Sequence, residues 1–257
     1  MILVFDVGNT ETTVGLFNGD KLKDHWRLTT TAARTSDEIR LMLHGLMQAA
    51  GIDEKGIKGS AIGSVVPPVT PILYDACKDM FGGKPVVING KSKLPIKLKV
   101  DEPMTVGADR ILNTLAASQI YKRDTIVVDL GTATTYDCIT ASGEFIGGVI
   151  QPGVISSAES LFRRTSQLPA TELRPPKNVI GTRTDDCIRG GVLFGAADSI
   201  SGIVGRIRKA WPNPEEPYVV GTGGLAEVIA PYCDAFDHLE PFLTLEGLRI
   251  AHGVLTA

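Results

Sequence analysis

The hydrophobic positions of the chain fall into two similar series. Residues 2–5 are a continuous apolar run, as in a strand buried on both faces. Residues 12–17 are rich in β-branched side chains and end at Asn18-Gly19-Asp20, a hairpin signal leading into a third strand over 22–28. Ser36-Asp37-Glu38 caps a helix reaching about residue 50. Ile39, Leu43, Leu46 and Met47 lie on one of its faces, and Gly51 is its stop. A strand over 60–66, a helix over 69–80 behind Pro67-Pro68 and a short strand over 85–88 complete the order β-β-β-α-β-α-β.

The second series opens in the same way. Strands are predicted over 125–129, 134–140 and 145–150, with Ser142-Gly143-Glu144 as a turn. Helical periodicity covers 152–164 and 184–208. A strand over 218–221, a Gly223-Gly224 turn, a short helix over 225–229 and a closing helix over 245–255 follow. A helix at about 105–121 links the series, which divides the chain into halves 1–112 and 113–257. Segment 167–183, with Pro169, Pro175 and Pro176, is the predicted long loop.

One pattern stands at the head of each half. Phe5-Asp6-Val7-Gly8-Asn9-Thr10-Glu11-Thr12 lies over Val128-Asp129-Leu130-Gly131-Thr132-Ala133-Thr134-Thr135. Each copy offers a carboxylate at a strand end, a glycine turn and hydroxyls. A spacing of about half the chain predicts two similar halves facing each other. Gly8 permits positive φ and a close approach of backbone to ligand, so Gly8, Asn9 and Thr10 can aim N–H groups and hydroxyls at phosphate oxygens. A carboxylate beside phosphates acts through Mg²⁺, directly or through its water shell, which assigns that role to Asp6. An Asx-type turn has the same composition, but it does not require duplication of the whole strand-turn-strand unit.

Composition narrows the classes. The chain has 257 residues, 43% of them hydrophobic and 21% charged, which suits one large domain or two smaller ones. A net charge of −3 implies no basic face and no nucleic-acid partner. No run reaches about 18 apolar residues, so no membrane span is expected. The start MILVFDVGNT lacks a basic region and a cleavage site, and the expected location is cytoplasmic. Cys77, Cys138, Cys187 and Cys233 form no CxxC pair, and His25, His44, His238 and His252 show no metal-binding spacing. GxxxxGK[ST] and GxGxxG are both absent.

Other segments carry candidate chemistry. Val106-Gly107-Ala108-Asp109-Arg110 joins a turn, a carboxylate and a guanidinium at a predicted helix start. Asp109 could take a proton from a substrate hydroxyl while Arg110 holds an anionic or carbonyl end of that substrate; an N-capping Asp beside a surface Arg is the alternative. Gly221-Thr222-Gly223-Gly224 could pass a flat adenine or ribose, or be a plain loop. Gly147-Gly148-Val149-Ile150-Gln151-Pro152-Gly153 could wall a pocket, or be an ordinary strand-to-helix turn. Thr184, after Gly181-Thr182-Arg183, reads as the N-cap of a long helix.

Taken in order, DVGNT, GADR, DLGTATT, GGVIQPG, GTGG and LTLEGL resemble the type III pantothenate kinases of the actin/hexokinase/Hsp70-like superfamily, from Asp6 to Gly247. The resemblance implies an α/β fold of two similar ribonuclease-H-like, actin-like kinase domains, with mixed sheets flanked by helices and an ATP cleft between them. It implies ATP-dependent phosphorylation of pantothenate to 4′-phosphopantothenate, the first step of coenzyme A biosynthesis. ATP binding would fall on Asp6, Val7, Gly8, Asn9, Thr10, Glu11, Thr12, Thr13 and Thr132. The base would be Asp109, and the substrate contacts Gly107, Ala108, Asp109, Arg110 and Thr184. Asp129 would hold a monovalent cation, K⁺ or NH₄⁺, and the protein would be a homodimer with its substrate site near the interface. Two positions depart from the pattern: Val100 stands where many members have Tyr, and Glu11 puts a charge near phosphates and is expected to point away. Two rivals share the fold, namely a kinase for another small molecule and a non-catalytic nucleotide-binding regulator.

Overall fold

A computed structural model describes residues 1–164 and 168–257. The chain opens with β1 (Ile2–Val7), β2 (Glu11–Asn18) and β3 (Lys21–Thr29), an antiparallel meander. Gly19, at φ +60°, makes the tight β2–β3 turn that Asn-Gly signals. Helix α1 (Ser36–Ala49) follows; its N-cap is Thr35 rather than Ser36. Thr35 and Glu38 form a reciprocal capping box, with Thr35 N–H donating to the Glu38 carboxylate at 2.7 Å. Then come β4 (Gly59–Ser64), α2 (Val69–Phe81), β5 (Val86–Ile88), the two-residue β6 (Lys97–Leu98) and α3 (Ala108–Ile120). The first sheet has the order β3-β2-β1-β4-β5, with β4 parallel to β1 and β5 parallel to β4.

The second series repeats the plan. β7 (Thr125–Leu130), β8 (Ala133–Ile139) and β9 (Glu144–Pro152) are again an antiparallel meander. Helices α4 (Val154–Arg164) and α5 (Thr184–Ala210) precede β10 (Tyr218–Thr222), α6 (Ala226–Ile229) and β11 (His238–Leu239). Strand β10 lies parallel to β7 and β11 parallel to β10, so β9-β8-β7-β10-β11 matches β3-β2-β1-β4-β5 strand for strand. Of the loop expected over 167–183, residues 168–183 carry no helix or strand, and residue 167 lies outside the described residues. Helix α5 has 27 residues, and its most apolar 18-residue stretch reaches a mean hydropathy of 1.3, enough by length and composition alone to cross a membrane, where no span was expected. Its Ile188, Leu193, Ala197, Ile200 and Val204 are buried in one core with Ile126, Val128, Tyr136 and Val219 of this unit.

Helix α7 (Leu243–Thr256) returns to the first series. The chain thus divides into a unit of Met1–Gln119 with Leu243–Ala257 and a unit of Ile120–Phe242. In the first unit, alternation along β1 sends Leu3, Phe5 and Val7 into a core with Ile39, Leu43, Met47, Val69 and Leu73. Val4 takes the opposite face, beside Gly15 and Leu245 of α7. Gly247 brings α7 onto the Leu112 backbone of α3, and the buried Thr244 hydroxyl donates to Asn113 Oδ1 at 2.9 Å.

Candidate active site

The first acidic turn is built by the β1–β2 connection. Asp6, half-buried near the end of β1, faces Thr13 across the ladder. The turn closes through Gly8 N–H to the Glu11 carbonyl at 3.0 Å. Gly8 does not use the positive φ open to it. Its value is room: a Cβ there would stand 3.1 Å from the Glu11 oxygen. Asn9, Thr10 and Glu11 are exposed, and Thr12 is buried with its hydroxyl 2.9 Å from that of Thr30. The Glu11 carboxylate lies 3.9 Å from the Arg27 guanidinium on β3.

The second acidic turn stands at the equivalent place in the other unit. Asp129, near the end of β7 and half-buried, faces Thr135. Gly131 N–H donates to the Ala133 carbonyl at 3.1 Å, so this turn closes one residue sooner than the first and the ungapped overlay fails beyond the glycine. Two flanking segments brace it. The Ser156 hydroxyl of α4 donates to the Thr132 carbonyl at 2.9 Å, and Gly153 lies so close that a Cβ would stand 2.6 Å from the Gly131 oxygen. Gly223, at φ +88°, passes beside the acid itself, where a Cβ would stand 2.5 Å from Asp129 Oδ1 and 2.8 Å from Leu130 N. The GTGG segment thus abuts the Asp129 carboxylate, a role its composition did not reveal. The QPG corner supports the turn.

The GADR segment forms the start of α3. The helix begins at Ala108, after a 3-10 turn at Pro103–Thr105 and an extended Val106, and not at residue 105 as expected. Ala108 is buried, while Asp109 and Arg110 are half-buried. Asp109 sits in the first turn of the helix, where its Oδ1 accepts the Arg110 N–H at 2.8 Å. That oxygen folds back over Gly107, in the space where a side chain at 107 would begin. Val65 Cγ1 bounds the same space at 3.4 Å.

Thr184 lies in the second unit and is the first residue of α5. Arg183 occupies the N-cap without a side-chain cap bond, so the N-cap expectation for Thr184 is corrected by one position. Thr184 lines an open depression of about 570 Å³ with Thr171, Glu172, Arg183, Asp185 and Arg189. Desolvation pushes the Asp185 carboxyl up, but the hydrogen bond and charge of Arg183, aided by Arg189 and the Asp186 N–H, hold it lower on balance.

The comparisons with known proteins fit this arrangement. The family model for type III pantothenate kinase matches residues 2–206. A type III pantothenate kinase from Roseiflexus castenholzii is 44% identical over 252 residues, covering 98% of each chain. One from Geobacillus kaustophilus is 41% identical, covering 98% of this chain and 97% of its own. The chain belongs to the type III pantothenate kinase family.

Solved structures agree on the fold. A Campylobacter jejuni chain, described as a candidate Baf family transcriptional activator, superposes with a TM-score of 0.61 at 20% identity, covering 99% of this chain and 100% of that one. The Clostridium difficile activator of 2-hydroxyisocaproyl-CoA dehydratase with bound ADPNP superposes with a TM-score of 0.56 at 12% identity, covering 99% and 93%. At such identities the likeness concerns the ATPase-type fold alone. As a member of a kinase family, the chain acts with ATP and on a small molecule, pantothenate.

The donors present suit a hard cation that shares its shell with phosphate and water. Each acidic turn presents a carboxylate among hydroxyls and backbone groups, and among the described residues no group of three or more His, Cys, Asp or Glu could cage a metal by itself. Gly223 adds no side-chain carbon beside the Asp129 carboxylate.

Proposed function

We propose that the chain transfers the terminal phosphoryl group of ATP to the primary hydroxyl of pantothenate with Asp109 as the base. Phosphoryl transfer passes through a loose transition state with charge spread over oxygens, so the protein mainly positions and neutralises. The Asp109 carboxylate accepts the hydroxyl proton as the new O–P bond forms and the bond to the bridging oxygen of ADP breaks. Arg110 orients the substrate, with Gly107, Ala108 and Thr184 as further contacts. Asp6, Val7, Gly8, Asn9, Thr10, Glu11, Thr12 and Thr13, with Thr132, bind ATP. Asp6 would hold Mg²⁺, directly or through water, and Asp129 would hold K⁺ or NH₄⁺; these ions supply positive charge where no P-loop lysine exists.

The observation that carries this reading is the fixed carboxylate at the head of α3. Asp109 is held by the Arg110 N–H and housed over a glycine, a geometry that a surface N-cap does not need. The resemblance supports two kinase domains, a homodimer and a cytoplasmic enzyme of coenzyme A synthesis. The test is phosphorylation of pantothenate with MgATP, with and without potassium, by the native chain and by Asp109→Asn. Turnover should fall about 10²–10⁴-fold in the variant with KM for ATP nearly unchanged. It should also fall when potassium is left out. Near-normal turnover by Asp109→Asn would remove the base assignment.

A further inference from the structure

Thr184 begins α5 with no side-chain cap ahead of it, so something else must fix the helix start. The candidates are few. Asp185 and Asp186 fill the first turn, and both are held from one turn further on by Arg189. Arg189 Nη1 lies 3.1 Å from Asp186 Oδ1 and 3.5 Å from Asp185 Oδ2. Its Nε donates in another direction, to the Glu172 carbonyl at 3.1 Å. The side chain is only 11% exposed, unlike that of Arg183, which is 78% exposed.

We infer that Arg189 is a positioning residue for pantothenate binding: it ties the first turn of α5 to the Glu172 segment and thereby sets where Thr184 stands. The inference rests on the reading of Thr184 as a substrate contact. Ordinary surface ion pairs contribute little. Arg189 instead uses the planar fork of the guanidinium, one edge on a loop carbonyl and the other on two carboxylates. A lysine has a single ammonium and cannot span the same acceptors. Thr184, Glu172 and Arg189 line one depression, so a change at the tie is felt at the threonine without touching its hydroxyl.

The experiment measures steady-state kinetics and thermal melting of the full chain, for Arg189→Lys, Thr184→Ala and the double variant. Arg189→Lys should raise KM for pantothenate on the order of tenfold, with kcat and KM for ATP nearly unchanged, as a misplaced contact predicts. In a Thr184→Ala background the same change should add nothing. Asp186→Asn, which loosens the tie while keeping its shape, should move KM in the same direction. A fall in melting temperature with KM unmoved would make Arg189 a purely structural residue and overturn the inference. An equal KM increase in the double variant over Thr184→Ala would overturn it too, because the effect would not pass through Thr184. If Thr184→Ala itself leaves KM for pantothenate unchanged, the contact reading fails and takes the inference with it.

Discussion

A methyl group at position 107 would meet the Asp109 carboxylate, because Oδ1 folds back over Gly107 while accepting the Arg110 N–H. Val65 Cγ1, 3.4 Å from the same point, limits any sideways escape. Gly107→Ala should therefore turn the carboxyl out of its seat while leaving α3 and its packing intact. With Asp109 as the proposed base, we expect kcat to fall on the order of a hundredfold, with little change in melting temperature. Kinetics and melting on one preparation check this, and a near-native kcat would show that the carboxyl has another productive seat. The acid and the arginine were legible in the sequence because their chemistry is carried by residue type. The reason for the glycine was not. Gly107 takes no positive φ, and what it supplies is room, a property of neighbours that spacing does not encode. Gly223 shows the same limit: a GTGG turn was visible, but its seat against Asp129 comes from the pairing of β10 with β7.

Between elements, the second unit is fastened by Asp124, just ahead of β7. Its carboxylate accepts Trp211 Nε1–H at 2.8 Å and Asn213 Nδ2–H at 2.6 Å beyond α5, and the Ala141 N–H at 2.8 Å in the β8–β9 turn. Burial pushes this carboxyl up, but the three donors outweigh it and hold it below the usual carboxylate range. A folded value below the unfolded one means that the stabilisation is complete above the unfolded pKa. It is lost as pH falls through the folded pKa. Asp124→Asn should cost about 1–3 kcal/mol at neutral pH, since charged acceptors make the stronger bonds. The gap between the two melting curves should stay level down to about pH 4 and narrow below it. A gap unchanged into stronger acid would mean that the charge is not what fastens the elements. Such long-range joints escape a reading along the chain. Alternation or continuous apolar runs marked the strands of both meanders and periodicity marked helices α1 and α2, because burial of one face or of both leaves a local trace. Neither signal marked the two-residue strands β6 and β11, which exist only through pairing with distant segments. Nor did either mark the late start of α3, which an extended Val106 delays.

At the scale of the molecule, the repeat of Asp-Gly turns announced two sheets that share a five-strand order. Chain order alone puts the last helix with the second half, whereas contacts group it with the first. The reason is visible in the packing: β1 is buried on both faces, α1 and α2 cover one, and α7 supplies cover for the other. Leu243, Leu245 and Leu248 are all at most 2% exposed, and burial of each contributes about 1.5–3 kcal/mol. Together that is of the same order as the whole stability of a typical domain. Removing residues 243–257 should therefore unravel the unit farthest from the cut in sequence. Amides of β1, β2 and β4 should lose their protection in hydrogen exchange. Those of β7, β8 and β10, whose core includes Val128, Tyr136, Leu193 and Val219 and among the described residues draws nothing from α7, should keep theirs. The opposite pattern, with β7 and β8 exposed first, would mean that the last helix belongs where chain order puts it. Uniform loss would mean that the two cores stand or fall as one cooperative unit.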